Sequence, residues 1–208
     1  MYNLDFRKNN LLILLIGIIL AVLGWYYAFG VKEGIFWYKL AFSIVIVSLY
    51  ALFFLQVPLK ITYKSFFEGL LSAFILYSIF YIGNIIAPYI VDESHSQVGL
   101  IYQMGDSSNK LFIFILLFFI TSPGEEIFWR AFLQGGFTKH IGAFPAFILV
   151  SIIYACVHIF SNNVMLVLAA FVAGLYWGVQ FLLRKDIVAN IVSHAFFSAF
   201  IFAVFPIS

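Results

Sequence analysis

Seven runs of apolar residues, at 11–30, 35–57, 66–90, 111–133, 143–160, 164–183 and 187–205, leave this chain few ways to fold. About 20 apolar residues carry a helix across the hydrocarbon core of a bilayer, and each run meets or approaches that length. In lipid a backbone must satisfy its own hydrogen bonds, so a spanning segment is a helix or part of a closed barrel. These runs are continuous and do not alternate, which argues against a barrel. Composition agrees: 64% of the 208 residues are hydrophobic and 10% charged, far from the balance of a soluble domain. The prediction is an all-α fold, a polytopic membrane helix bundle of about seven spans that forms a single integral membrane domain over 1–208.

Sidedness follows from the basic residues. Residues 1–10 carry Arg7 and Lys8, and the run after them is long for a signal peptide and has no small-residue cleavage site, so a retained signal-anchor span is expected. With the N-terminus in the cytoplasm, the inner segments hold Arg7, Lys8, Lys60, Lys64, Lys139, Arg184 and Lys185, and the outer ones hold Lys32 and Lys110. That bias obeys the positive-inside rule and predicts a multi-pass protein of the cell membrane, with the lipid bilayer as its surroundings. The connector 91–110, with Asp92, Glu93 and Asp106, reads as a polar external loop or lid. Basic residues are divided among the inner loops and form no stripe, so nucleic acid is not an expected partner. A lone Cys156 excludes an intrachain disulfide, and no CxxC metal pattern exists.

Against this apolar background three charges stand out. Glu125, Glu126 and Arg130 fall within six residues, between the apolar runs 111–120 and 131–133. A charge at membrane depth costs several kcal/mol unless it is paired or faces a wet cavity, which makes it a functional hypothesis by default. Other polar residues in the spans have plainer readings. Lys39 and Glu68 lie close to span ends, from which long side chains snorkel to the interface. Gly174 and Gly178 form a small-xxx-small face for helix packing, and Cys156 reads as core. His95 and His140 fall in connectors, leaving His158 and His194 as intramembrane histidines on separate spans.

Helical geometry brings these groups toward one site. Glu126 and Arg130, four residues apart, share a face within ion-pairing reach, and Glu125 points about 100° away. Gly135-Gly136 are expected to end one span, and Gly142 with Pro145 to begin the next. From those ends Glu125 lies about 15 Å deep and His158 about 20 Å, with His194 about 13 Å in from Lys185 on the same side. A carboxylate beside a histidine in a partly desolvated cavity can hold a water and accept its proton. A second histidine can stabilise the oxyanion formed when that water attacks a carbonyl. The chemistry that results is hydrolysis of an amide or ester inside the membrane. Glu125, His158 and His194 could also ligate zinc with an open fourth position. Their lack of HExxH spacing makes that the weaker version, and no cofactor is expected.

The chain also resembles the intramembrane endopeptidases of the CAAX protease and bacteriocin-processing group, the Abi family. Its Glu-Glu-xxx-Arg motif is matched by Glu125, Glu126 and Arg130; its Phe-xxx-His motif by Tyr154 and His158, with one aromatic exchanged for another; its His-xxx-Asn motif by His194 and Ser198, with serine in place of asparagine. These motifs span 124–198, within a motif-bearing core at 111–206. The resemblance implies catalytic roles: Glu125 as general base aided by His158, Glu126 held by Arg130, His194 on the oxyanion, and Ser198 assisting through its hydroxyl. Asn190, one turn before His194, is an alternative orienter of that ring. It implies a peptide or membrane-associated protein as substrate, in a CAAX-protease-like or a peptide- or bacteriocin-processing setting. Two other readings stay open: a non-catalytic bacteriocin-immunity or scaffold protein with the same fold, and a proton-coupled carrier, for which intramembrane Glu and His are also typical. A carrier would show paired broken segments in its two halves. The sequence has one such break, at Ser122-Pro123-Gly124.

Overall fold

The computed structural model describes residues 5–7, 10–57, 59–104 and 109–207; Lys8 and Asp106 lie outside the described residues. Seven helices are long and apolar enough to cross a membrane. They are α1 (Leu11–Gly30), α2 (Phe36–Phe54), α3 (Tyr63–Tyr89), α5 (Lys110–Ile141), α6 (Ala143–Ser161), α7 (Val164–Arg184) and α8 (Ile187–Val204). The expected all-α polytopic bundle is what forms. A short antiparallel pair, β1 (Asp5–Phe6) with β2 (Leu55–Gln56), ties the N-terminus to the end of α2.

Polar side chains set most of the starts. Asn10, Thr62, Asn109, Asn163 and Asp186 each place a side-chain oxygen on a backbone N–H of the first turn they precede, at 2.7, 3.0, 2.8, 2.9 and 3.0 Å. Such caps satisfy N–H donors that the first turn of a helix leaves without an intrahelical partner. Inside the bundle α8 packs along α3 and α6 along α7. In the second pair the small residues work as expected: a Cβ at Gly174 would lie 3.1 Å from Tyr154, and one at Gly178 2.7 Å from Phe147. Trp25, Phe128, Trp129, Phe132 and Trp177 form the buried centre, and Leu49, Phe53, Phe74 and Phe119 belong to the exposed apolar surface that lipid would cover.

Several expectations are corrected. Gly135-Gly136 do not end a helix: both remain helical, and α5 runs on to Ile141, because the first glycine of that stretch in the left-handed region is Gly142, at φ 87°. The connector 91–110 is not an open loop, since residues 94–103 form a further short helix, α4 (Ser94–Gln103). Lys39 is 6% exposed, and its ammonium reaches past the start of α2 to donate to the Val31 carbonyl in the α1–α2 connection. Glu68 does sit near an interface, half-buried, 3.6 Å from Arg184 Nη1 and 4.0 Å from Lys64 Nζ. Cys156 is exposed on the apolar face it shares with Ile152 and Ile159 on α6.

Candidate active site

The site begins with a close approach. At Gly124 a Cβ would come within 2.5 Å of Ile44 and 2.6 Å of Ser48, so glycine is what lets α5 press against α2 just before Glu125. Widened, π-type turns flank this point, at Leu117–Thr121 and Glu126–Gln134. Such turns are uncommon and recur at functional sites. Every residue from Phe128 to Gln134 is buried, so this stretch has no lipid-facing side.

Glu125 and Glu126 therefore enter different surroundings. Glu125 Oε2 accepts a hydrogen bond from the Tyr154 hydroxyl at 2.7 Å, and Oε1 has no hydrogen-bond partner among the described residues. Glu126 Oε1 accepts from His194 Nδ1 at 2.8 Å. Its Oε2 accepts from Asn190 Nδ2 at 3.0 Å and lies 3.6 Å from Arg130 Nε. Arg130 is fully buried, with its guanidinium carbon 5.3 Å from the centre of the Tyr154 ring. The expected Glu126–Arg130 pair is present, but Glu126 bonds more closely to His194. Asn190 does not hold the His194 ring; it reaches Glu126 and the Trp177 carbonyl, the latter at 2.9 Å.

The two histidines differ in what remains open to them. His158 Nε2 accepts from Trp25 Nε1 at 3.3 Å, so Nδ1 carries the proton it donates to the Tyr154 carbonyl at 2.7 Å. Both of its ring nitrogens are taken up by protein. His194 is held at Nδ1 by Glu126 and has its ring stacked on Trp177, centroids 3.7 Å apart and 18° from parallel, while Nε2 has no hydrogen-bond partner among the described residues.

Glu125, Tyr154, His158, His194 and Ser198 line one cavity of about 140 Å³. Of the six site residues expected from the sequence, four line this space, and Glu126 and Arg130 stand behind it. Among the described residues no three His, Cys, Asp or Glu side chains come together as a metal-holding group, and both ring nitrogens of His158 have protein partners. Tyr154 was visible in the sequence only as an exchanged aromatic. Trp25 and Trp177 carried no motif signal, since a tryptophan in a buried apolar run is ordinarily packing.

Fold and site together define a multi-pass membrane protein with a buried Glu/His cavity. Residues 107–200 match the family described as type II CAAX prenyl endopeptidase Rce1-like. The match covers less than half of the chain and includes all three motifs, so the resemblance read from them is shown over this segment. No curated protein and no solved structure matches the chain. The family is one of proteases: at family level the match supports a CAAX-protease-like intramembrane endopeptidase, a hydrolase with a peptide or protein substrate.

Proposed function

We propose that the chain is a glutamate-dependent intramembrane endopeptidase that works without a metal. One observation carries the reading. Glu125 and His194 line the same buried cavity, each with one polar atom tied down, Oε2 by Tyr154 and Nδ1 by Glu126, and each with the other atom uncommitted. Glu125 Oε1 takes a proton from a water in the cavity, and the water oxygen attacks the carbonyl carbon of the scissile amide. The oxyanion that forms accepts a hydrogen bond from Nε2–H of His194, which in this step carries a proton on each ring nitrogen and is held in place by Glu126 at Nδ1 and by the Trp177 ring. Glu125 then returns its proton to the departing amine nitrogen, the C–N bond breaks, and a carboxyl and an amine product leave. His158, with both nitrogens engaged, shapes the cavity wall. The Ser198 hydroxyl, without a hydrogen-bond partner among the described residues, is a further donor for the peptide.

A second, apolar cavity of about 400 Å³ shares Phe80, Ile101, Leu166, Ala169, Ile201 and Phe202 with the first. Its size falls in the roughly 300–1,000 Å³ range of ligand sites. It suits a substrate that brings a long apolar group beside the scissile bond, such as a lipid-modified or hydrophobic peptide segment. The test is Glu125→Gln, which keeps shape and removes the proton acceptor. Cleavage of a membrane peptide substrate by the purified protein is expected to fall at least about 100-fold with folding retained. Undiminished cleavage, or a biological phenotype indifferent to the change, would favour the non-catalytic immunity or scaffold reading. Loss of cleavage with a chelator, restored by zinc, would keep the enzyme and overturn the metal-free step.

A further inference from the structure

The two ends of the bundle differ in charge, and both cavities belong to one of them. At one end β1 pairs with β2, Lys139 lies 4.4 Å over the Phe6 ring, Glu68 meets Arg184, and Ser65 donates to Asp186 at 2.6 Å. These contacts put the N-terminus and the α2–α3, α5–α6 and α7–α8 connections on one face. Six described basic residues lie there: Arg7, Lys60, Lys64, Lys139, Arg184 and Lys185. At the other end Asn163 donates to the Gln97 carbonyl at 2.8 Å, Tyr102 accepts from the Ile207 backbone at 3.0 Å, and Tyr26 packs on Phe160. This face holds the α1–α2 and α6–α7 connections, α4 and the C-terminal segment. Its basic residues are Lys32, Lys110 and the buried Lys39, and it carries Glu33, Asp92 and Glu93 as well.

Both cavities lie in the half of the bundle next to this second face. The first is walled by Phe29 at the end of α1, Trp37 at the start of α2 and Leu166 at the start of α7, and it reaches Ile101 and Met104 at the end of α4. Its deepest polar groups are Glu125, midway along α5 (Lys110–Ile141), and His194, which bonds to the adjacent Glu126 at the same level of the bundle. The second is walled by the last turns of α3, by α4, by the start of α7 and by the C-terminal segment. Toward the basic end the packing is closed instead by fully buried Trp129, Phe132, Leu133 and Ile187. Basic residues that flank spans stay in the cytoplasm.

We infer that the site is entered from the extracytoplasmic end of the membrane, beneath α4, and that its substrate is a peptide segment presented there, an exported peptide or the outer juxtamembrane part of a membrane protein. The substrate half of this inference rests on the peptidase reading; the sidedness half rests on charge and cavity position alone. The experiment measures sidedness directly. In the full chain carrying Cys156→Ala, so that no native thiol remains, Met104→Cys at the cavity mouth and His140→Cys on the basic face are expressed separately. Intact cells are then treated with a membrane-impermeant maleimide. The expected result is labelling of Met104→Cys in intact cells and of His140→Cys only after lysis. Any other pattern, including labelling of both, of neither or of position 140 alone in intact cells, overturns the inference. Because labelling needs no activity, a failure here is distinct from failure of the peptidase reading, which Glu125→Gln tests separately.

Discussion

Glu126 is the residue on which the site turns, because one buried carboxylate serves His194, Asn190 and Arg130 together. Removing the Arg130 charge leaves an uncompensated buried carboxylate, which costs on the order of 3–5 kcal/mol. Arg130→Ala is therefore expected to lower thermal stability in detergent, and adding Glu126→Gln to recover part of the loss; additive losses would contradict the pairing. Tyr154 acts on Glu125 in a different way. Its hydroxyl fixes Oε2, and a hydrogen bond to a charged group contributes about 1.5–3 kcal/mol. Tyr154→Phe removes that oxygen and little else, so kcat is expected to fall at least about tenfold, with KM and melting temperature near those of the parent. A rise in KM without loss of kcat would mean that the hydroxyl binds substrate and does not orient the base. Glu125, Glu126, Arg130, His158 and His194 were legible in the sequence because charge and imidazole stand out in apolar runs. The partners Trp25 and Trp177 were not, because an indole N–H bonded across the bundle looks the same in sequence as one buried for its bulk.

At the scale of elements, α5 does most to place the site, and its geometry is where sequence reasoning fell short. A regular helix puts Glu125 and Glu126 about 100° apart, and the two carboxylates do meet different partners, Tyr154 and His194. The π-type turns over Glu126–Gln134 and the continuation through Gly135-Gly136 depend on tertiary packing that no local pattern encodes. The amphipathic α4 was hidden for a related reason: it is short and half-polar, so it resembles a loop. Gly124 is the element's critical contact. Gly124→Ala forces a Cβ into Ile44 and Ser48, and overpacking of this kind costs typically about 1–3 kcal/mol. A lower melting temperature in detergent, together with reduced cleavage, is the expected outcome. A variant of unchanged stability and activity would show that α2 and α5 yield freely at this point.

For the whole molecule, the N-terminal spans complete a site whose motifs all lie in the C-terminal half. Trp25 on α1 engages His158, Lys39 on α2 closes the Val31 turn, and Phe80 on α3 lines both cavities. Phe29, Trp37, Phe80 and Ile101 lie outside the family match yet form walls of the cavity. The span count was legible because hydropathy and length determine it; the assembly of those spans around one cavity was visible only through the depth of three side chains. The central claim is that Glu125 and His194 act as one unit on a peptide bond. It is tested most directly by measuring kcat/KM for Glu125→Gln, His194→Ala and the double variant on one membrane peptide substrate. Each single change is expected to cost at least about 100-fold, and the double little more than the worse single, because residues acting together are not additive. Losses that multiply in the double variant, or cleavage that survives Glu125→Gln, would contradict the account.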